Sequence, residues 1–291
     1  MTADSHDPLY VEGCSFRDDW GCLWYNAQDG ILGQVIEHPL ESWADMQALV
    51  VPDPAVQADW PALKEAVRIE RERGLPAVAF PESFAHGGLF DRLQFLRGLE
   101  NLLVDFVLEP AQLQELIDRV LAYNMKYIDL WLENEIDVIW FHGDIGTQRG
   151  PLISPPMFRR YLKPAYSEMF GKCREAGVHV WYSCDGNILE LVDDLVECGV
   201  SIHDPQVSAN GIEGIARVYR GKLCAMVDID EQMMPFCSPK EIHRQIGEAV
   251  EKIGNPAGGL MFFASPSSDV PLENIEAICD AWERYCYFEL C

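Results

Sequence analysis

The feature that most constrains the fold of this chain is a recurring unit, in which a short apolar run leads into a polar turn and then an amphipathic helix. Such nearly continuous apolar runs are typical of parallel strands that are buried on both faces. A weaker run spans residues 21–26. The clear runs are LPAVAF (75–80), IDVIWFHGDIG (136–146), GVHVWYSCDG (177–186), GVSIHDPQ (199–206), KLCAMVDID (222–230) and GGLMFFASPS (258–267). We therefore predict an α/β fold, a (β/α)8 barrel of the TIM type that forms one domain over residues 1–291.

The segments between these runs predict the helices that a barrel requires. Apolar residues at helical spacing indicate helices at 188–198, 211–220, 239–253 and 272–286. Pro164 should break or kink the helical region at 156–176, because proline removes a backbone hydrogen bond. No glycine-rich fingerprint for a nucleotide follows any of the strands, which argues against a nucleotide-binding enzyme.

The composition narrows the range of partners and locations. The chain carries 22 Lys and Arg against 47 Asp and Glu, a net charge of −25, which repels nucleic acid and anionic membranes. No apolar run approaches the roughly 20 residues that span a bilayer, and the N-terminus has no signal-peptide pattern. Ten cysteines are scattered without a CxxC pair, so we expect reduced thiols and a cytoplasmic protein.

Polar side chains follow the predicted strands at the edge where barrels of this kind carry their active sites. We predict acid–base catalysis by four of them, because clustered carboxylates raise one another's pKa. These four are Asp144, Asp185, His203 and Asp230. Substrate-binding residues are predicted at the same edge, namely His142, Ser183, Asn187, Gln206 and Asp228. Any one of these residues can instead cap the following helix, since Ser, Asp and Asn are favoured caps.

Other segments could extend this site. Trp20 and Trp24 either belong to the core or form an apolar wall for a flat ligand. The loop at 143–155 carries Gln148 and Arg149 and is long and polar, as substrate loops are. His86 stands beside two glycines and is a further substrate-binding candidate.

Cys184 raises the question of a metal. Zinc is bound by Cys, His and carboxylate ligands, which His203, Asp144 and Asp230 could provide, but no close ligand spacing marks them. A nucleophilic Cys184 activated by His203 is a second alternative. We expect no metal, with Cys184 and His203 as the residues to consider if one is found.

Several segments resemble the uroporphyrinogen decarboxylase superfamily, which includes the decarboxylase and corrinoid-linked methyltransferases. The matching segments are DDWGCLW (18–24), PLESWADMQALVVPDP (39–54), LRGLENLLVDF (96–106), GDIGTQRGPLISPPMFRRYLKP (143–164), YSCDGNILELVDDLVECGVSIHDPQ (182–206), VDID (227–230) and DVPLENIEAI (269–278). The resemblance implies a (β/α)8 barrel, here with its usual first strand missing or modified.

The chain departs from both branches of the family at positions that matter. It lacks the arginine-rich segment with which the decarboxylase grips propionate groups. The zinc ligands of the thiol-methylating branch would fall on Ser183, Asp185 and either Ser267 or Ser268. A register shifted by one residue places Cys184 at a ligand position but puts Tyr182 at the histidine. We therefore expect zinc to be absent or weakly held.

The resemblance and the residues together favour a methyltransferase-like enzyme. It would move a methyl group between a small methylated compound, such as an aryl methyl ether or a methylamine, and a corrinoid carrier protein. The resemblance thus implies a corrinoid on a partner as the cofactor, and a homodimer is compatible with it. Two alternatives stay open: a decarboxylase of a tetrapyrrole or another carboxylic acid, and a barrel that binds a ligand without catalysis.

Overall fold

The computed structural model of the chain describes residues 10–30, 32–79, 88–230, 233–267 and 269–285. These residues form a six-stranded parallel sheet with its helices and a three-stranded antiparallel sheet near the N-terminus. The predictions for His86 and Ser268 lie outside the described residues. Across the described part of the chain, no helix combines the length and apolar character that membrane crossing requires.

The main sheet contains parallel strands that lie side by side in the order in which they occur in the chain. Its strands are β4 (Val78–Ala79), β5 (Val138–His142), β6 (His179–Cys184), β7 (Ile202–Pro205), β8 (Cys224–Asp228) and β9 (Leu260–Phe263). Helices connect consecutive strands, and the sheet is curled as part of a TIM-type barrel. The predicted α/β TIM-type fold is therefore confirmed.

The antiparallel sheet corrects one of the predicted strands. It consists of β1 (Ser15–Arg17), β2 (Leu23–Tyr25) and β3 (Gln34–Glu37), with β2 in the centre. The weaker run at 21–26, considered as a possible barrel strand, does form a strand, but in this separate sheet. Gly21, with φ +91°, closes a tight turn between β1 and β2, and so short a turn can join antiparallel strands only.

The helices follow the apolar spacing of the sequence closely. They are α1 (Trp60–Glu72), α2 (Leu89–Arg97), α3 (Leu99–Leu108), α4 (Ala111–Leu132), α5 (Pro155–Met157), α6 (Lys163–Glu175), α7 (Val192–Cys198), α8 (Val207–Asn210), α9 (Ile212–Tyr219), α10 (Pro239–Ile253) and α11 (Leu272–Tyr285). A π-helical turn precedes α6, and Pro164 stands in the first turn of α6. The helical conformation continues from α5 through this turn into α6, so the predicted break at Pro164 does not occur, and the irregularity beside the proline is the π-helical turn. Ser238 and Glu241 form a capping box that begins α10.

The two faces of the parallel sheet have different neighbours, because successive side chains of a strand point to opposite sides. On β6, Tyr182 and Cys184 are buried, and the Tyr182 ring contacts Phe170 of α6. Trp181 and Ser183 of the same strand point to the other face, the inner face of the curled sheet. Trp181 contacts Trp140 of β5 there, with 5.9 Å between ring centroids.

Candidate active site

Three polar side chains form a row on the inner face at the carboxyl ends of neighbouring strands. His142 of β5 is paired in register with Ser183 of β6, which is paired in turn with Asp204 of β7. The Ser183 hydroxyl donates a hydrogen bond of 2.7 Å to Oδ2 of Asp204. In-register parallel strands thus place an imidazole, a hydroxyl and a carboxyl at one level of the sheet.

His142 is held by a carboxylate from outside the sheet. Its Nδ1 lies 2.6 Å from Oδ2 of Asp91, which stands in the first turn of α2 and is 5% exposed. Burial alone would lower the pKa of His142, but the hydrogen bond to Asp91 and the charges of Asp91, Asp144 and Asp185 raise it to about 9. The imidazole is therefore protonated at neutral pH, as one half of an ion pair with Asp91.

Asp144 links the ends of β5 and β6. Its Oδ1 accepts a hydrogen bond of 3.0 Å from the backbone N–H of Asp185 and lies 3.5 Å from Nε2 of His142. Its own N–H donates to Oδ1 of Asp91. Burial raises the pKa of Asp144, His142 lowers it and Asp91 raises it, with a net rise. These contacts hold the turns after the two strands against each other.

Asp204 is a carboxyl of the site whose pKa lies near neutral pH. Burial raises its pKa to about 7, against the hydrogen bond from Ser183 and the positive charge of His142, which favour the ionised form. The Asp204 N–H and the Trp181 indole N–H also favour the ionised form, but neither reaches the buried Oδ1 with normal hydrogen-bond geometry. A carboxyl with such a pKa is a mixture of acid and carboxylate at pH 7.

A cavity of about 330 Å³ opens at this end of the sheet. Its lining consists of Asp185, Asp204, Gln206, Ser208, Asp228, Asp230 and Phe263. Burial raises the pKa of Asp228, whose Oδ1 accepts a hydrogen bond of 3.0 Å from the N–H of Val207. Among the residues that line the cavity, none is basic. The site is therefore acidic, with one apolar wall formed by Phe263.

Two glycines let the loops after β5 and β6 touch. A Cβ on Gly146 would lie 2.3 Å from the carbonyl oxygen of Asp185, and one on Gly186 would lie 2.7 Å from the carbonyl carbon of Gly146. Gly186 also has φ +82°, which side chains disfavour. At this contact the N–H of Asn187 donates a hydrogen bond of 2.7 Å to the carbonyl of Thr147.

The amide side chains of the site are partly occupied by structural bonds. Asn187, predicted to bind substrate, donates from Nδ2 to the carbonyl of Ala209 and accepts from the N–H of Leu189. Asn187 therefore fixes the turn after β6 and does not cap the following helices, whose N-cap residues are Ile188 and Leu191. Gln206 accepts from the N–H of Gly186 and from the Nε2 of Gln148, which brings the loop at 143–155 to the cavity rim.

The structure brings three of the four residues predicted for acid–base catalysis to the same end of the sheet. Asp185 and Asp230 line the cavity, and Asp144 bonds to the backbone of Asp185. The placement of His203 at this mouth is wrong. It is 1% exposed, and its Nδ1 lies 3.0 Å from the hydroxyl of Tyr219 in α9. Side-chain alternation turns it towards the helices, and burial lowers its pKa to about 3.

The aromatic segment of the predicted site lies elsewhere. Trp20 is 3% exposed and packs edge-on against Tyr123 of α4, at 4.9 Å between ring centroids. Trp24 is 1% exposed and packs in the same way against Phe95 of α2. The core alternative for both tryptophans is therefore correct, since neither lines the cavity. Arg149 is exposed on the loop after β5.

The residues at the expected metal positions do not match a zinc site. Ser183 and Asp185 replace the imidazole and the thiolate, and Ser267 pairs with Asp269. Cys184 lies on the helix side of β6, and burial raises its pKa well above the ordinary value, so it stays a neutral thiol. No group of three His, Cys, Asp or Glu suited to a metal ion occurs in the described residues. Zinc prefers thiolate and imidazole donors, and neither stands at the expected ligand positions Ser183, Asp185 and Ser267.

Two important residues were missed or underrated in the sequence. Asp91 lies in α2, 51 positions before the histidine it binds, and nothing in the sequence separates it from the two arginines of the same helix. Asp204 follows His203 directly, and its side-chain direction becomes clear only when the neighbouring strands are paired. Phe263 gives no signal, because an aromatic residue in a strand is ordinary core material.

Comparison with known proteins places this architecture in a family. Residues 23–285 match the sequence model of uroporphyrinogen decarboxylase (URO-D). The uroporphyrinogen decarboxylase of Thermus thermophilus is 26% identical over 266 residues, which cover 85% of this chain and 71% of the relative. The structure of a methyltransferase from Methanosarcina mazei superposes with a TM-score of 0.69 at 19% identity, covering 92% of this chain and 77% of the other. This second likeness concerns the fold. The chain belongs to the uroporphyrinogen decarboxylase family.

Proposed function

We propose that this chain catalyses the transfer of a methyl group between a small methylated compound and the corrinoid of a carrier protein. The observation that carries the proposal is the acidic cavity, in which carboxyl groups with raised pKa face the space where a substrate would bind. Breaking a methyl–oxygen or methyl–nitrogen bond leaves an electron pair on the heteroatom. A nearby acid that is still protonated at neutral pH can neutralise this pair.

The charge of the cavity favours methyl transfer over tetrapyrrole decarboxylation. A tetrapyrrole with several carboxylate side chains needs basic partners, and the cavity lining offers four aspartates and no lysine or arginine. Arg149 is nearby in sequence, but it is exposed on its loop. Decarboxylation remains the second candidate, because the curated relative from Thermus thermophilus is a uroporphyrinogen decarboxylase.

The corrinoid itself would come on the partner protein, as the second substrate. It would supply the nucleophile that takes up the methyl group. The rim of the cavity offers Phe263, whose side chain is 46% exposed, as an apolar surface for a flat macrocycle. The carboxyl groups deeper in the cavity would bind the methylated compound and hold the proton for its leaving atom.

The purified chain can be tested directly with free cobalamin that has been chemically reduced. It would be mixed with methoxybenzene, 1-methoxy-4-nitrobenzene, trimethylamine or tetramethylammonium, and methylcobalamin would be followed by its absorbance. We expect methylcobalamin to form with at least one donor, and only when the chain is present. A parallel reaction with uroporphyrinogen would be analysed for products with fewer carboxyl groups.

The outcomes separate the three functions. Methylcobalamin formation without change in uroporphyrinogen supports the proposal. Decarboxylated products without methyl transfer would overturn it in favour of the relative's activity. A chain that does neither but binds one of the donors, as measured by calorimetry, would be a ligand-binding barrel.

A further inference from the structure

Four aspartates line the cavity, and they differ in their hydrogen bonds and exposure. Asp228 and Asp230, together with Asp144 next to the cavity, each accept a hydrogen bond from a backbone N–H, donated by Val207, Met233 and Asp185. An N–H donor stabilises the ionised form of a carboxyl group and occupies one of its oxygens. These three aspartates are therefore already used in fixing the loops at the ends of the strands. Asp185 is exposed, which leaves Asp204 as the remaining aspartate of the lining.

Asp204 differs from these three in its partners. One oxygen accepts from the Ser183 hydroxyl, while the other is buried without a hydrogen bond of normal geometry. An ionised carboxylate with an unsatisfied buried oxygen is costly, whereas a protonated one can direct its O–H towards a ligand. Asp204 also lines the cavity, so its protonated carboxyl can offer a proton to a group that binds there.

From this geometry we infer that Asp204 gives the proton to the departing heteroatom of the substrate, and that Ser183 positions the Asp204 carboxyl for this transfer. The inference rests on the proposed methyl transfer and names its proton donor. Asp204 was not among the four residues that the sequence singled out for acid–base work.

The charged and titratable groups around Asp204 agree with this role. From β5 it faces His142, which the ion pair with Asp91 keeps positive. From the end of β6 it faces Asp185, and from β8 and the following loop it faces Asp228 and Asp230 across the cavity. With a pKa of about 7, Asp204 loses its proton near neutral pH, whereas His142, with a pKa of about 9, keeps its own.

The proton transfer balances the methyl transfer. The bond between the methyl carbon and the heteroatom breaks, and its electron pair stays on the heteroatom. Asp204 donates its proton to that pair and becomes a carboxylate. The methyl group forms its new bond with an electron pair of the reduced corrinoid, and Asp204 regains a proton from solvent before the next turnover.

The test uses two related aryl methyl ethers that differ in how strongly the leaving oxygen needs a proton. The phenolate released from methoxybenzene is basic and needs the proton, whereas the phenolate released from 1-methoxy-4-nitrobenzene is weakly basic because the nitro group delocalises its charge. Asp204→Asn should slow methyl transfer from methoxybenzene by roughly 100-fold or more, and from the nitro compound by less than about tenfold. The matched control is Asp193→Asn, whose side chain is 71% exposed on α7 and which should leave both rates unchanged.

The pH profile provides a second readout. In the unaltered chain, the rate with methoxybenzene should fall as the pH rises through about 7, because the donor must be protonated. Ser183→Ala should move this fall to higher pH, since the Ser183 hydroxyl favours the ionised carboxylate. Carbon-13 NMR of the aspartate carboxyls should show one signal that titrates near pH 7 and is missing in Asp204→Asn.

The possible failures can be told apart. Equal losses with both donors, a pH profile that persists in Asp204→Asn, or transfer from tetramethylammonium alone would overturn the role of Asp204 and leave methyl transfer intact. An Asp204 carboxyl that titrates below pH 5 would also overturn it, whether or not the variant folds. Failure of the unaltered chain to form methylcobalamin from any donor would refute the proposed function, and with it this role.

Discussion

Replacing Asp91 by asparagine should remove a pH-dependent contribution to the stability of the chain. Asp91 is 5% exposed and accepts a hydrogen bond of 2.6 Å from Nδ1 of His142. Asparagine has the same shape. Its oxygen can still accept from the N–H of Asp144, and its amide can donate to a neutral imidazole. The substitution therefore removes the charge with little change in packing.

The size of the effect follows from the pKa of His142, which rises from its ordinary value of 6.5 to about 9 in the folded chain. Because each tenfold change in an acid equilibrium is worth about 1.4 kcal/mol, this rise corresponds to about 3 kcal/mol. The folded state holds the proton more tightly than the unfolded state. The stabilisation is thus complete below about pH 6.5 and disappears as the pH rises through about 9.

Urea unfolding of the two proteins at pH 6 and pH 9.5 would measure this contribution. We expect the unaltered chain to be more stable than Asp91→Asn, by a margin in the free energy of unfolding that is about 3 kcal/mol larger at pH 6 than at pH 9.5. Asp280→Asn on the exposed side of α11 serves as the control, with no such dependence. A gap between Asp91→Asn and the unaltered chain that is equal at both pH values, or a His142 imidazole that titrates near 6.5 by NMR, would refute the reasoning.

Further changes test other parts of the structure. Asp185→Asn should change the free energy of unfolding by less than about 0.5 kcal/mol in urea, because Asp185 is exposed and caps no helix among the described residues. The unaltered chain should lose about 2 kcal/mol of its free energy of unfolding between pH 7 and pH 5, because His203 takes up a proton below about pH 6.5 in the unfolded state but only near pH 3 in the folded state. His203→Phe should remove this loss, as measured by urea unfolding. Gly186→Ala should destabilise the chain by about 2 kcal/mol or more, since its φ is +82° and its Cβ would meet Gly146, whereas Gly150→Ala, with open space around it, should be nearly neutral in thermal unfolding.

The strands and helices were predictable because each carries its own signal. The apolar run of β5 and the capping box of α10 can be identified without knowledge of their neighbours. The strand around Trp24 was assigned to the wrong sheet, because the pattern of one strand does not reveal its partner. Antiparallel pairing with β1 and β3 depends on the turns at either end.

The candidate site shows a sharper limit of prediction. His203 and Asp204 are adjacent polar residues, and only one of them can face the cavity. The order SIHDPQ does not say which, because polar and apolar residues do not alternate there. Pairing with Ser183 decides it in favour of Asp204. The partner of His142 could not be predicted for another reason. Asp91 lies in α2, which is far from β5 in the sequence, so the contact forms only in the folded chain.

The order of the parallel sheet has a consequence for its motions. Within the described residues β4 and β9 are edge strands, each hydrogen-bonded to a neighbour on one side, while β5 to β8 have neighbours on both sides. Val78 and Phe263, at these two edges, are 42% and 46% exposed. Fraying of an edge strand breaks one ladder of hydrogen bonds, whereas opening of β6 breaks two and uncovers buried side chains such as Tyr182. Amide protons should therefore exchange with solvent first at the two margins of the sheet and last at its centre, so that the row of His142, Ser183 and Asp204 lies on the most slowly opening part of the sheet.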